Sequence, residues 1–326
     1  MFVTLTMNPA IDLTFSVVTF SPNEVNRATS VRKDPAGKGI NVARALALNG
    51  FAVSAVFPGD DANGRWLETT LDREGVHAFR LPRDSEIRTN IVVTDQSGNT
   101  TTLNDHGPVV TSGDALALRA LVLSALESRP AWLVLAGGLP PGIDDTFYVD
   151  VARDARREGV RVAVDSSGDA LAAVAHAGVA DVIKPNHREL EELAGRPLPL
   201  IGDVVDFAQS VLAHDDAAIL TSLGKHGAIL VTHSDVQWGA HPLVTVSSSV
   251  GAGDASLAGY LAADVDCRRR DIGGHEANTV RLSTAVAWGS AKAQLSGTTM
   301  PGPDNISVSR VLCSGDLNRD IRIEDL

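Results

Sequence analysis

Cysteine is nearly missing. Cys267 and Cys313 stand alone in 326 residues, far apart and without the spacing of a metal site. Two free thiols in a reducing compartment, the cytoplasm, are therefore expected. Aromatic residues make up only 4% of the chain, and no run approaches 18 apolar residues without a charge. That pattern argues against a membrane-spanning helix. The opening MFVTLTMNP lacks a basic segment leading into an apolar one, so no secretion signal is expected. Positive charge is also short. Against 40 Asp and Glu there are 28 Lys and Arg, a net charge of −12, which argues against a nucleic-acid or membrane-surface partner. Local cations can still build a pocket for an anionic substrate. Two nucleotide-site patterns are absent as well. No G-x-x-x-x-G-K-[ST] occurs, which excludes a P-loop fold, and no G-x-G-x-x-G follows the first strand, which argues against a dinucleotide oxidoreductase.

What is present is a 44% hydrophobic chain with material for a large core. From about residue 108 onward, strand-like and helical runs alternate. Residues 132–135, 160–164, 182–183 and 218–220 read as strands, with helices near 145–158, near 169–177 and from 187. This rhythm predicts an α/β fold, a mostly parallel central sheet flanked by helices, with ligands beyond the carboxyl ends of the strands. Residues 10–34 and 86–107 break the rhythm. They are rich in Thr, Val, Ile and Asn, and residues 91–94 and 101–103 flank the turn DQSGN, a hairpin signal. They are read as a discontinuous β-lid on a core formed by 1–9, 35–85 and 108–326. Such strands need a partner for their second face, so a homodimer through the lid is expected. The last 20 or so residues carry no clear pattern.

The chemistry concentrates in SSSVGAGDA, residues 247–255. GAGD opens an apolar helical run, so the amides of Gly251, Ala252 and Gly253 are expected to converge on one anion site at the positive end of the helix dipole. Asp254 falls in the first turn. A base beside an anion hole is what phosphoryl transfer to a hydroxyl requires. A second glycine-rich element is AGKGINVAR, residues 36–44, where Gly37 and Gly39 allow close backbone approach, Lys38 supplies a cation and Asn41 an amide.

Taken together, AGKGINVAR and VGAGDASLAGY resemble the two signatures of the ribokinase-like, phosphofructokinase-B sugar kinases. TLTMNPAID, RTNIVV, VDSSG, IKPNHREL and TSLGKHGA extend the likeness along nearly the whole chain. Within that family, TLTMNPAID and the lysine of the AGKG loop look most like the 1-phosphofructokinase and tagatose-6-phosphate kinase branch. The resemblance implies a ribokinase-like fold and an enzyme that moves a phosphoryl group from ATP to a hydroxyl of a phosphorylated ketohexose. Fructose 1-phosphate, giving fructose 1,6-bisphosphate, is the first choice. Tagatose 6-phosphate and fructose 6-phosphate are the rivals, and a non-catalytic sugar-phosphate or nucleotide sensor is a remote one.

It also implies roles. Asp254 is the base, with Gly251, Ala252 and Gly253 as the anion hole. Asp12, Gly37 and Asn41 hold the sugar, and Lys38, Arg27 and Arg88 are the cations for its far phosphate. Lys184, Asn186, Ser222, Gly224, Gly227 and Ser249 serve the nucleotide. Asn186 and Glu189, an NxxE pair, order Mg²⁺, with Asp165 in its outer shell. Residues 285–294, with Trp288, are a candidate adenine wall. Two departures stand out: Gly138 replaces a serine that commonly touches substrate, and Ser249 replaces the usual threonine.

Overall fold

The structure, a computed structural model, describes residues 1–242 and 244–326. In chain order its elements are β1 (Phe2–Leu5), β2 (Ala10–Val17), β3 (Ala28–Ala36), α1 (Lys38–Leu48), β4 (Val53–Gly59), α2 (Asn63–Arg73), β5 (Val76–Pro82), β6 (Arg88–Thr94) and β7 (Thr100–Leu103). There follow α3 (Ser112–Leu126), β8 (Trp132–Ala136), α4 (Phe147–Arg157), β9 (Arg161–Asp165), α5 (Gly168–Ala177), β10 (Val182–Ile183), α6 (His187–Ala194), α7 (Ile201–Ser210) and β11 (Ala218–Ser222). The chain then adds β12 (Ala228–Thr232), β13 (Val236–Ala240), α8 (Ala252–Arg269), α9 (Gly274–Ala293) and β14 (Leu312–Ser314).

Among the described residues, ten strands form one sheet in the order β14-β13-β12-β11-β10-β9-β8-β1-β4-β5. From β11 to β5 every pairing is parallel, and β12, β13 and β14 extend one edge antiparallel. Because the strand period is two, each strand feeds both faces. In β8, Leu133 and Leu135 pack under α3 and α4, whereas Trp132, Val134 and Ala136 pack under α1, α8 and α9. The expected parallel sheet with helices on both faces is what forms. The segment near the end, unreadable as sequence, supplies β14 and buries Ile323. Both cysteines are free, Cys267 buried and Cys313 half-buried. Among the described residues no helix is long and apolar enough to cross a membrane.

The second sheet runs β3-β2-β6-β7. The β6–β7 hairpin is antiparallel as its turn sequence foretold, but β2 and β6 pair in parallel, which no local signal reveals. β3 extends to Ala36, two residues beyond the boundary expected from composition, and runs directly into Gly37 and α1. Gly37 adopts φ +121°, and a Cβ on Gly39 would lie 2.5 Å from Thr6 Oγ1 and 2.9 Å from the Leu5 carbonyl. These two glycines let α1 start against the end of β1.

Behind the sheet, α8 carries a fully buried carboxylate. Asp264 meets Arg161 at 2.6 Å, Arg281 at 3.0 Å and Arg268 at 3.1 Å, and the Trp132 indole N–H donates to it at 3.1 Å. The Arg161 guanidinium lies 3.9 Å from the Trp132 ring centroid. Removing the one anion strands the cations it neutralises. Asp264→Asn should therefore destabilise the fold by about 3 kcal/mol, read as a lowered urea midpoint. An unmoved midpoint would show that the cluster contributes nothing net.

Candidate active site

Two cavities meet at the amino end of α8. One is lined by Asp12, Lys38, Asn41, Asn90, Asp165, Lys184, Glu189, Gly251 and Asp254, among others. The other is lined by Ser222, Gly224, Gly227, Ser249, Ser256, Val286, Gly289 and Ala293. Asn186, Ser222 and Gly253 line both, so they mark the seam. Gly251 caps α8 in the left-handed region, φ +80°, which turns the chain into the helix. The expected anion hole is narrower than three amides, because the Ala252 N–H donates to the Ser249 carbonyl at 3.2 Å. Among the described residues the amides of Gly251 and Gly253 have no acceptor, and they lie where the helix dipole favours an anion. A Cβ on Gly253 would lie 3.1 Å from Lys184 Nζ, so glycine keeps that approach open.

Asp254 follows at once, 6% exposed, with the Asn41 side-chain amide donating to its Oδ2 at 2.8 Å. Burial, then the like charge of Asp165, raises its pKa to about 6. Asp165 itself ends β9 between two ammonium groups: Lys38 Nζ at 2.7 Å from one oxygen and Lys184 Nζ at 3.0 Å from the other. Burial works against its charge, but the two lysines outweigh it and hold the carboxyl below its usual range. Burial likewise works against the Lys38 charge, yet Asp165, Glu189 and Asp254 together raise its pKa. Both Asp165 oxygens are thus engaged by cations at the cavity wall, with no third side for a direct metal contact while the lysines stay there.

In the first cavity, Asp12 on β2 pairs in register with Asn90 on β6, whose amide donates to Asp12 Oδ1 at 2.8 Å. Burial raises the Asp12 pKa. Asn90 was not singled out from sequence. It lies inside the RTNIVV strand, and only the parallel register brings it to Asp12. Arg88 sits at the cavity wall, donating to the carbonyls of Asp105 and Asn8, and continues into a shoulder lined by Asn104, His106 and Gly138. Nothing stands within 4 Å of where a Gly138 Cβ would be. The missing serine thus leaves open space and no collapsed wall. Arg27 does not join this group. It is exposed between β2 and β3 and lines none of these cavities.

The nucleotide-side expectations converge better. Ser222, Gly224, Gly227 and Ser249 all line the second cavity, and Lys225, His241 and Ser256 join them without having been foreseen. A Cβ on Gly227 would overlap the Gly239 carbonyl, which makes glycine obligatory there. From the 285–294 segment, α9 presents Val286, Gly289, Ser290 and Ala293 to this cavity at helical spacing. Trp288 is the exception. It turns into the core against Gly259 of α8.

Asn186 and Glu189 close a reciprocal capping box on α6. The Glu189 N–H donates to Asn186 Oδ1 and the Asn186 N–H to Glu189 Oε2, both at 2.8 Å. That leaves Glu189 Oε1, 3.5 Å from Lys38 Nζ, facing the cavity. Among the described residues no three His, Cys, Asp or Glu side chains cluster as metal ligands. Such a sparse donor set fits Mg²⁺, which keeps most of its waters and takes one or two carboxylates plus phosphates.

The raised Asp254 pKa has a stability consequence. Its folded value, about 6, exceeds the ordinary 3.8, so ionising it costs the fold stability above that pH and nothing below about 4. Asp254→Asn should then be more stable than the wild type by on the order of 2 kcal/mol at pH 8. The advantage should fade as pH falls to 4, as thermal melts across pH would record. Equal melting temperatures at pH 8 would mean that neither burial nor Asp165 burdens the ionised Asp254.

The pfkB family carbohydrate kinase pattern matches residues 5–304. A 1-phosphofructokinase of Rhodobacter capsulatus is 34% identical over 307 residues, 93% of this chain and 94% of its own length. An ATP-dependent 6-phosphofructokinase isozyme 2 of Escherichia coli K12 is 34% identical over 256 residues, 78% of this chain and 82% of its own. Among solved structures, Escherichia coli phosphofructokinase-2 in complex with substrates and products superposes with a TM-score of 0.84. It is 31% identical, over 93% of this chain and 96% of that one. With that match, that fold and the glycine-capped α8 in place, the chain belongs to the pfkB family of carbohydrate kinases, which take ATP as phosphoryl donor.

Proposed function

We propose that the protein transfers the γ-phosphoryl group of ATP to a hydroxyl of a phosphorylated ketohexose, fructose 1-phosphate in particular, giving fructose 1,6-bisphosphate. One observation carries the reading. A buried, poised carboxylate stands beside two free helix-tip amides at the seam of two cavities. The sugar occupies the cavity under the small sheet, with Asp12, Asn90 and Asn41 for its hydroxyls and Gly37 giving its ring room. Arg88 and the shoulder at Gly138 receive its far phosphate. ATP lies along Ser222–Gly227 and α9. Asp254 takes the hydroxyl proton. The Gly251 and Gly253 amides, with Lys184 and Lys38 released from Asp165 toward the phosphates, stabilise the moving charge. Held by Glu189 and Asn186, Mg²⁺ would neutralise charge on the nucleotide phosphates.

Residues 10–36 and 86–107 act as a lid over the sugar cavity in this reading. Its outward side exposes Val18, Val25 and Val31, at 54%, 81% and 57%. Those residues support a second copy packing there, and such pairing is the one route by which exposed Arg27 could reach a substrate. The need for ATP and the two free thiols support the cytoplasm. The non-catalytic sensor is disfavoured by the retained Asp254. Fructose 6-phosphate remains the second reading, because the Escherichia coli 6-phosphofructokinase isozyme 2 is as similar in identity, though over less of its length.

Steady-state turnover with ATP and Mg²⁺ on fructose 1-phosphate, fructose 6-phosphate and tagatose 6-phosphate tests the choice. Fructose 1-phosphate should give the highest kcat/KM, and comparable values on all three would defeat the assignment. Asp254→Asn should lower kcat at least about 10³-fold with sugar binding retained. The base must be ionised to work, so the wild-type kcat/KM should fall as pH drops below about 6. A flat profile from pH 5 to 8 would remove Asp254 from the proton transfer.

A further inference from the structure

The segment after α9 is a strap that touches four parts of the molecule and lines neither reactant cavity. It runs from Gln294 to Pro301. From α9, Lys292, fully buried, donates to the carbonyls of Gly297 at 2.8 Å and Leu295 at 3.4 Å. From α1, Arg44 donates to the Thr298 carbonyl at 3.1 Å while its other nitrogens grip Glu74, and Asn49 donates to the Pro301 carbonyl at 3.0 Å. From β3 of the small sheet, Arg32 reaches across. Its Nη2 donates to the Ser296 carbonyl at 3.1 Å, and Nη1 to Ser296 Oγ at 3.3 Å and Thr299 Oγ1 at 3.4 Å. Asp34, one turn of the pleat away, accepts from Arg32 Nε at 2.6 Å and aims the guanidinium.

The fourth contact is with the anion-hole turn. A Cβ on Gly251 would stand 3.1 Å from Met300 Cε and 3.5 Å from Lys292 Cε. Met300 of the strap and Lys292 at the end of α9 therefore form the floor beneath the residue whose left-handed φ aims the hole. Moreover, Ser247 and Ser248, which lead into that turn, donate their N–H groups to the Ala293 carbonyl at the root of the strap. Gly297 has φ +54°, and a Cβ there would run into the Arg32 guanidinium. The strap is thus shaped to receive this arginine. Arg32 is more than one-third exposed, so its grip is not required to fill the core.

We infer that Arg32 is a positioning residue, latching the small sheet to the strap so that the Gly251 turn is held in its transfer geometry only while the sheet is in place. Arg32 lines neither reactant cavity. It acts through Ser296, Thr299 and Met300 on the amides of Gly251 and Gly253. The consequence is that covering the sugar cavity and assembling the anion hole are one event. An uncovered site then has a loosened hole, which disfavours transfer of the phosphoryl group to water. The inference rests on the phosphoryl-transfer reading for its kinetic arm and stands apart from it for its structural arm.

Two variants break the latch from opposite sides: Arg32→Ala removes the guanidinium, and Gly297→Ala fills its seat. With ATP and fructose 1-phosphate, each should lower kcat about 10- to 100-fold, the scale of a displaced catalytic group. KM for both substrates should stay within about threefold. Arg32→Lys, able to reach one partner, should recover part of the loss. Amide hydrogen exchange on the protein without ligands should speed up at residues 250–253 as well as 296–299 in both variants. The double variant should be no worse than the worse single one, since both remove one contact. Wild-type kcat in Arg32→Ala, exchange changes confined to 296–299, or additive losses in the double variant would each overturn the latch. If the wild type turns over none of the three sugar phosphates, the functional reading fails, and the exchange at 250–253 still decides the latch.

Discussion

The site depends on a charge that has no business being alone. Asp165, buried at the end of β9, draws Lys38 from α1 and Lys184 from beyond β10 onto its two oxygens. One helix and the ends of two neighbouring strands are pinned together at that point, and each lysine is parked at the wall of the cavity where phosphates would arrive. The same charge raises the pKa of Asp254. One carboxylate thus gathers two cations and helps to raise the pKa of its carboxylate neighbour. Buried ionic clusters of this kind seldom add net stability. Their value here is placement. Ammonium groups held by an internal anion can be handed to an incoming one without first shedding a shell of water.

The far end of α8 shows the same logic used for structure alone. Asp264 gathers three arginines and an indole N–H behind the sheet, so the helix is fastened at one end and faces the cavities at the other. The dipole adds to this division, because its positive tip is the end left facing the cavities. α8 therefore presents free amides and Asp254 at its first turn and is anchored through Asp264 three turns on. A charged tip is tolerable on a helix whose remainder is buried and tied.

Much of this was legible in the chain. Strand runs ending in Asp165, Lys184 and Ser222 fixed the side of the sheet where ligands go, since buried parallel strands read as short apolar runs with polar ends. GAGD and AGKG announced their turns because glycine at positive φ leaves a mark in sequence. What stayed hidden were features set by distant partners. Asn90 becomes a site residue only through the β2–β6 register, and Trp288 turns from the cavity because Gly259 makes room for it. The Ala252 amide is lost to Ser249 through a turn bond. Asp165, read as a metal partner, faces lysines that lie 127 and 19 positions away in sequence. The antiparallel edge and the last strand carried no periodic pattern long enough to read.

The parallel pairing of β2 with β6 has one more implication. A hairpin can be built by a growing chain on its own, but between these two strands come, after β3, the helices α1 and α2 and the large-sheet strands β4 and β5. The small sheet is therefore no detachable module. It can be completed only after the intervening β–α units have been synthesised and brought together, so its assembly is late and tied to theirs. Any stretch of polypeptide that holds all four of its strands also carries β4 and β5 of the large sheet.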